Sequence, residues 1–265
     1  MGRLAGTPLL LLPLFAALAL TLTTMWLILR GVLLEWTVPG LVVAGVICTA
    51  VSQGVHLLFD PSPERSLATV LQFGVANVAL IGSSLFIGKL IAGRVENLSW
   101  VIPIVLVLTA VDIWSVYFGP TGRVAAEIQE TPLESELGQA LLLWYPNLTP
   151  AGEGGLAVTP AFGFGDLIVA AILLEVARRF ALPLMRNLVA LVVAIITSLL
   201  SALLTPSGIP ALPFIAALFV GVNWRAIPKN PREIALCAAF LVALFTVLVF
   251  IVNPLASAFW PGEEL

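Results

Sequence analysis

Charge is scarce in this chain. Lys and Arg number 12 and Asp and Glu 15 in 265 residues, 10% of the sequence, where a soluble domain carries about a quarter. An ordinary water-soluble domain is excluded. A net charge of -3 with no basic run excludes nucleic acid as an electrostatic partner. Histidine is almost absent: His56 stands alone, with no second histidine or cysteine cluster to complete a metal site, and reads as structural or interfacial. The two cysteines, Cys48 and Cys237, both fall inside apolar segments. They read as small core residues rather than a disulfide framework.

What the chain has instead is apolar length: 60% of its residues are hydrophobic. Runs of roughly 17 to 25 apolar residues can cross a bilayer as helices, and that ruler predicts an all-α polytopic membrane bundle of about eight spans. They cover Pro8 to Leu29, Thr37 to Phe59, Leu67 to Ala92, Trp100 to Phe118, Pro160 to Phe180, Leu184 to Leu204, Pro210 to Trp224 and Glu233 to Ala256. The first run exceeds a signal-peptide core and is expected to be retained. Residues 1–99 form an N-terminal group of about three helices, 100–224 a central unit, and 225–265 a last helix with a short tail. Within the central unit, residues 119–159 make an acidic connection. Its apolar middle, Leu137 to Trp144, is too short to span and is expected to lie on the surface or cover the site.

Two acids interrupt these runs. Asp112 lies in Ala110-Val111-Asp112-Ile113-Trp114, and Asp166 closes Phe162-Gly163-Phe164-Gly165-Asp166. A carboxylate inside a membrane span is costly and by default functional. At 1.5 Å per residue each acid sits about 9 to 10 Å from the connection between their helices. Antiparallel neighbours therefore bring them to the same depth, with Gly163 and Gly165 letting a neighbouring backbone approach. Such a pair is expected to share one proton, so that one acid activates water while the other donates to a carbonyl oxygen or a leaving amine. Glu175, near a span end with an arginine one turn on, reads as an interfacial ion pair.

Pro210-Ala211-Leu212-Pro213 is the third unusual stretch. Two prolines remove backbone donors and leave carbonyls free for an extended partner strand. The bland alternative is an ordinary helix start or kink.

With these three stretches in order on separate helices, the chain resembles the GxGD intramembrane aspartyl proteases of the presenilin and signal peptide peptidase family. The resemblance covers Trp100 to Trp224 and implies a presenilin-like catalytic core. It implies catalytic roles for Asp112 and Asp166, and site-shaping or substrate-binding roles for Gly163, Phe164, Gly165, Pro210, Ala211, Leu212 and Pro213. It implies no metal or organic cofactor, with water as co-substrate and transmembrane proteins or signal peptides as substrates. The chain departs from the family in three respects. Val111 stands where a tyrosine is usual, three spans rather than five precede the first aspartate, and a span follows the Pro-Ala-Leu stretch.

Two rival functions use the same acids. Prepilin-type peptidases also carry GxGD in a membrane bundle, but usually with a lysine soon after the aspartate, where this chain has Leu167-Ile168-Val169. Alternatively, the paired carboxylates could carry protons or cations in a transporter. The connections after odd-numbered spans hold Arg30, Lys89, Arg94, Arg178, Arg179, Arg186, Arg225, Lys229 and Arg232, against Arg3, Arg65 and Arg123 on the other side. The richer side is expected to be cytoplasmic, which puts both termini and the acidic connection outside. The expected site of action is a multi-pass position in the plasma (inner) membrane of a prokaryote.

Overall fold

The computed structural model of the chain describes residues 7–58, 67–119, 142–147, 157–204, 209–252 and 254. Among the described residues, long apolar runs bounded by turn residues give eight α-helices. They are α1 (Thr7–Leu33), α2 (Val38–Leu58), α3 (Leu67–Ala92), α4 (Val101–Tyr117), α5 (Phe164–Arg179), α6 (Leu184–Leu204), α7 (Leu212–Asn223) and α8 (Pro231–Val247). A π-helical turn, Leu248–Val252, extends α8.

Local chemistry fixes several of the ends. At the start of α8 the Asn230 side chain accepts the Arg232 N–H at 3.1 Å and Pro231 takes the first helical position, where a missing N–H costs nothing. At the end of α5 the chain turns through Ala181 at φ 51, and Leu182 N–H reaches back to the Ala177 carbonyl at 2.8 Å. That bond closes the helix by the left-handed exit that glycine usually provides.

The all-α expectation needs correcting in one place. Strands β1 (Leu142–Asn147) and β2 (Ala157–Gly163) pair antiparallel, with an irregularity between Leu143 and Trp144. The run from Pro160 that reads as the start of a span is therefore strand up to Gly163, and the helix begins only at Phe164. Of the segment Leu137 to Trp144, expected to lie on the surface or cover the site, the part from Leu142 belongs to β1, and Leu143 and Trp144 are buried; residues 137–141 lie outside the described residues.

The count of eight spans is also corrected. Among the described residues five helical segments are long and apolar enough to cross a membrane: Val38–Val55, Leu71–Ala92, Leu98–Tyr117, Leu184–Ser201 and Pro231–Val252. The side chains of α1 are described only from Leu18, which leaves a shorter apolar piece, Leu18–Leu33. Helix α7 has 12 residues and α5 has 16, about 18 and 24 Å against a hydrocarbon core of about 30 Å.

The short helix α5 is tolerated because protein rather than lipid surrounds it. It packs against α1, α3, α6 and α7, and Leu167 and every residue from Val169 to Ala177 are buried. Gly88 on α3 allows the closest approach: a methyl group there would lie 2.6 Å from Ala171 Cβ and 3.0 Å from the Ile168 carbonyl oxygen on α5. Small residues at a contact let two membrane helices come together. The α3 span is 67% buried, whereas the α8 span is 11% buried, so α3 and α5 form the interior and α8 lies at the periphery.

Charged groups collect at one end. Glu175 pairs with Arg178 through bonds of 3.0 and 2.6 Å, the partner expected from spacing. It is nevertheless buried and not merely interfacial, and Lys89 of α3 lies 3.9 Å away. Lys89 Nζ also donates to the carbonyls of Gly31, Val32 and Leu34 at 3.2, 3.1 and 2.7 Å, and Arg179 donates to the Ala92 carbonyl. Cations thus satisfy the orphan carbonyls at the C-terminal ends of α1 and α3.

Candidate active site

Asp112 projects from the last third of α4 toward the start of α7. Its Oδ2 accepts the backbone N–H of Leu212 at 2.9 Å. The reason lies in how Pro210-Ala211-Leu212-Pro213 folds. Leu212 is the first residue of α7 and Ala211 the residue before it, with no side chain of its own to cap the helix. Pro213 takes the second position, where no N–H is needed. The Ala211 carbonyl accepts from Phe214 and Ile215 at 3.1 and 3.2 Å. The N–H of Leu212 is left over, and a carboxylate from another helix takes it, favoured also by the dipole.

This alters the role expected of the stretch. It begins a helix, as the bland alternative has it, and its prolines clear away donors so that one remaining N–H holds Asp112. Pro210 and Leu212 are buried; Ala211 and Pro213 are half-buried.

Asp166 sits in the first turn of α5, and its Oδ2 accepts the Gly163 N–H at 3.3 Å. The expected depth of about six residues into a helix is corrected, because β2 occupies the residues up to Gly163. Helix α7 packs against both α4 and α5, so the helices that carry the two acids share it as a neighbour, with Asp112 bonded to its start. Both are half-buried, and neither forms an ion pair among the described residues. Each carboxyl has one oxygen bonded to a backbone N–H and the other without a hydrogen bond to a described residue.

The glycines do not work by close packing, as the sequence suggests. Among the described residues a methyl group at Gly165 would meet nothing within 4 Å, and one at Gly163 would touch only the Asp166 carboxyl, 3.3 Å from Oδ2. Gly165 is exposed, and no described residue fills the space that its missing side chain leaves. Phe164 packs its ring against the buried core and anchors the helix start between the two glycines.

The approach to Asp166 is held by residues that the sequence reading passed over. Asn77, buried on α3, accepts the Trp144 N–H at 3.0 Å and donates to the Trp144 carbonyl. Its amide thus occupies the outer edge of β1 as a third strand would, while the Trp144 ring stacks 5.2 Å from Phe73. Asn187 and Asn223 exchange amide hydrogen bonds in the interior and fasten the far end of α7 to α6. All three asparagines interrupt apolar runs, the same signal that singled out the aspartates.

Compared with known proteins, the chain matches no family model, no curated protein and no solved structure.

Proposed function

We propose that this chain is an intramembrane aspartyl endopeptidase, hydrolysing peptide bonds in transmembrane or signal-peptide segments with Asp112 and Asp166. One observation carries the reading. Two acids stand on α4 and α5, the helices that α7 packs against, with Asp112 bonded to the start of α7; among the described residues neither has an ion pair, and each has one carboxyl oxygen without a hydrogen bond.

Chemically, one carboxylate takes a proton from water as its oxygen attacks the peptide carbonyl carbon. The protonated partner donates to the carbonyl oxygen, giving a tetrahedral diol. As that collapses, the C–N bond breaks, the amine takes up a proton, and the pair returns to its shared-proton state. The two acids act as one titrating unit. A bell-shaped dependence of rate on pH follows, because both proton removal and proton addition disable the pair.

The hairpin supports the same reading. Both main-chain groups of Trp144 point to Asn77, so its partner Pro160 turns its own backbone to the outer edge of β2. Proline is tolerated at such an edge. A substrate strand added along β2 would lead directly into Gly163, Gly165 and the space beside Asp166. Resemblance to GxGD proteases points in the same direction.

The test is cleavage of a model transmembrane peptide by purified protein in lipid. Asp112→Asn and Asp166→Asn should each lower the rate by at least about 10²-fold, the scale of one general acid or base, while α-helical content is retained. Full activity in either variant would remove the pair from the mechanism. Ion flux without peptide products would instead assign the acids to transport.

A further inference from the structure

The charged end of the bundle contains a cleft of about 540 Å³ that the peptidase reading does not use. It opens where the connection between α1 and α2 passes the ends of α3 and α5. Four cations line it, Lys89, Arg94, Arg178 and Arg179, against two carboxylates, Glu35 and Glu175. Two positive charges are therefore left over.

Helix capping accounts for part of this set. Arg178 engages both oxygens of Glu175, Lys89 spends its donors on the α1 carbonyls, and one nitrogen of Arg179 binds Ala92. Arg94 is different. Among the described residues its guanidinium has no hydrogen bond or ion pair, yet it lines the cleft. An arginine fork with unused donors fits phosphate oxygens.

The remaining wall is apolar. Trp36 and Val38 line the cleft and are exposed, beside Leu41 and Leu90. A site with surplus positive charge at one wall and exposed apolar side chains at the other, at the end of a membrane bundle, matches an amphiphile carrying phosphate. Basic residues also mark this end as the cytoplasmic one, where anionic lipids concentrate.

We infer that this cleft binds the phosphate group of an anionic phospholipid, with Arg94 as the principal ligand and Trp36 and Val38 against the acyl region. The site is separate from the aspartates and stands whether or not they hydrolyse peptides.

Native mass spectrometry of the full chain in detergent tests it, with equimolar phosphatidylglycerol and phosphatidylcholine of matched chains. A basic residue near an anionic membrane surface contributes about 1 kcal/mol, about five-fold in binding. The wild type should retain phosphatidylglycerol about five-fold or more over phosphatidylcholine. Arg94→Gln should lower that preference about five-fold without shifting the thermal midpoint, and Arg94→Lys should keep most of it.

Millimolar inorganic phosphate distinguishes the source. Displacement of the lipid by phosphate would support the phosphate group alone as the ligand. Retention of the lipid would support recognition of headgroup and chain together. Equal retention of both lipids by the wild type would overturn the inference. So would a preference that survives both Arg94→Gln and the double variant Arg94→Gln/Arg179→Gln.

Discussion

At the scale of single residues, Asp112 does two jobs that substitutions can separate. It caps α7 through the Leu212 N–H, and in the proposed mechanism it supplies a titrating carboxyl. Asparagine keeps an acceptor oxygen; alanine does not. Asp112→Ala should therefore lose about 1 kcal/mol of stability in a denaturant titration, the ordinary cost of a lost cap, while Asp112→Asn loses much less. Both should lose cleavage. Equal stability losses for the two would deny the cap. Gly165 permits a similar separation, because a methyl group there meets no described residue within 4 Å. Gly165→Ala should leave stability unchanged or raised by up to about 1 kcal/mol, and Gly165→Leu should cut kcat/KM for a transmembrane peptide while the fold persists. Wild-type cleavage by Gly165→Leu would show that substrate does not use that space. The two aspartates were legible in the sequence because a carboxylate in an apolar run is conspicuous. Their hydrogen-bond partners were not, since both are backbone N–H groups placed by turns that composition does not specify.

Among the elements, α3 ends and α6 begins where the apolar runs do, with Gly93 and Pro183 at those limits. The hairpin was hidden for a physical reason: Pro160-Ala161-Phe162-Gly163 is as apolar as the helix that follows, and hydrophobicity alone cannot separate a short buried strand from a helical turn. What fixes the strand is distant in sequence, the buried amide of Asn77 on α3. Asn77→Ala would leave the Trp144 N–H and carbonyl unpaired in the interior, a loss of about 1 to 3 kcal/mol. Hydrogen exchange should quicken at Trp144 and along β2, and cleavage should fall with the loosened approach to Asp166. Exchange at Trp144 matching the wild type would mean that the hairpin stands without its anchor.

For the whole molecule, a central α5 enclosed by α1, α3, α6 and α7 explains why the apolar run from Pro160 yields a helix shorter than a span. A helix surrounded by protein can be short and carry Asp166 at one end and Glu175, Arg178 and Arg179 at the other. The same arrangement puts the acids and the basic cleft at opposite ends of α5, consistent with the charge asymmetry of the connections. A single cysteine introduced at Arg123 in a Cys48→Ala/Cys237→Ala background should react with an impermeant maleimide on intact cells, and protection there would reverse the orientation. The central claim, peptide hydrolysis by the aspartate pair, meets its most direct test in the oxygen of the product. A transmembrane peptide incubated with wild-type protein in ¹⁸O-labelled water should yield a new C-terminal carboxylate carrying the label, and neither Asp112→Asn nor Asp166→Asn should produce it. Intact peptide with the wild type, or labelled product from either variant at the wild-type rate, would contradict the account.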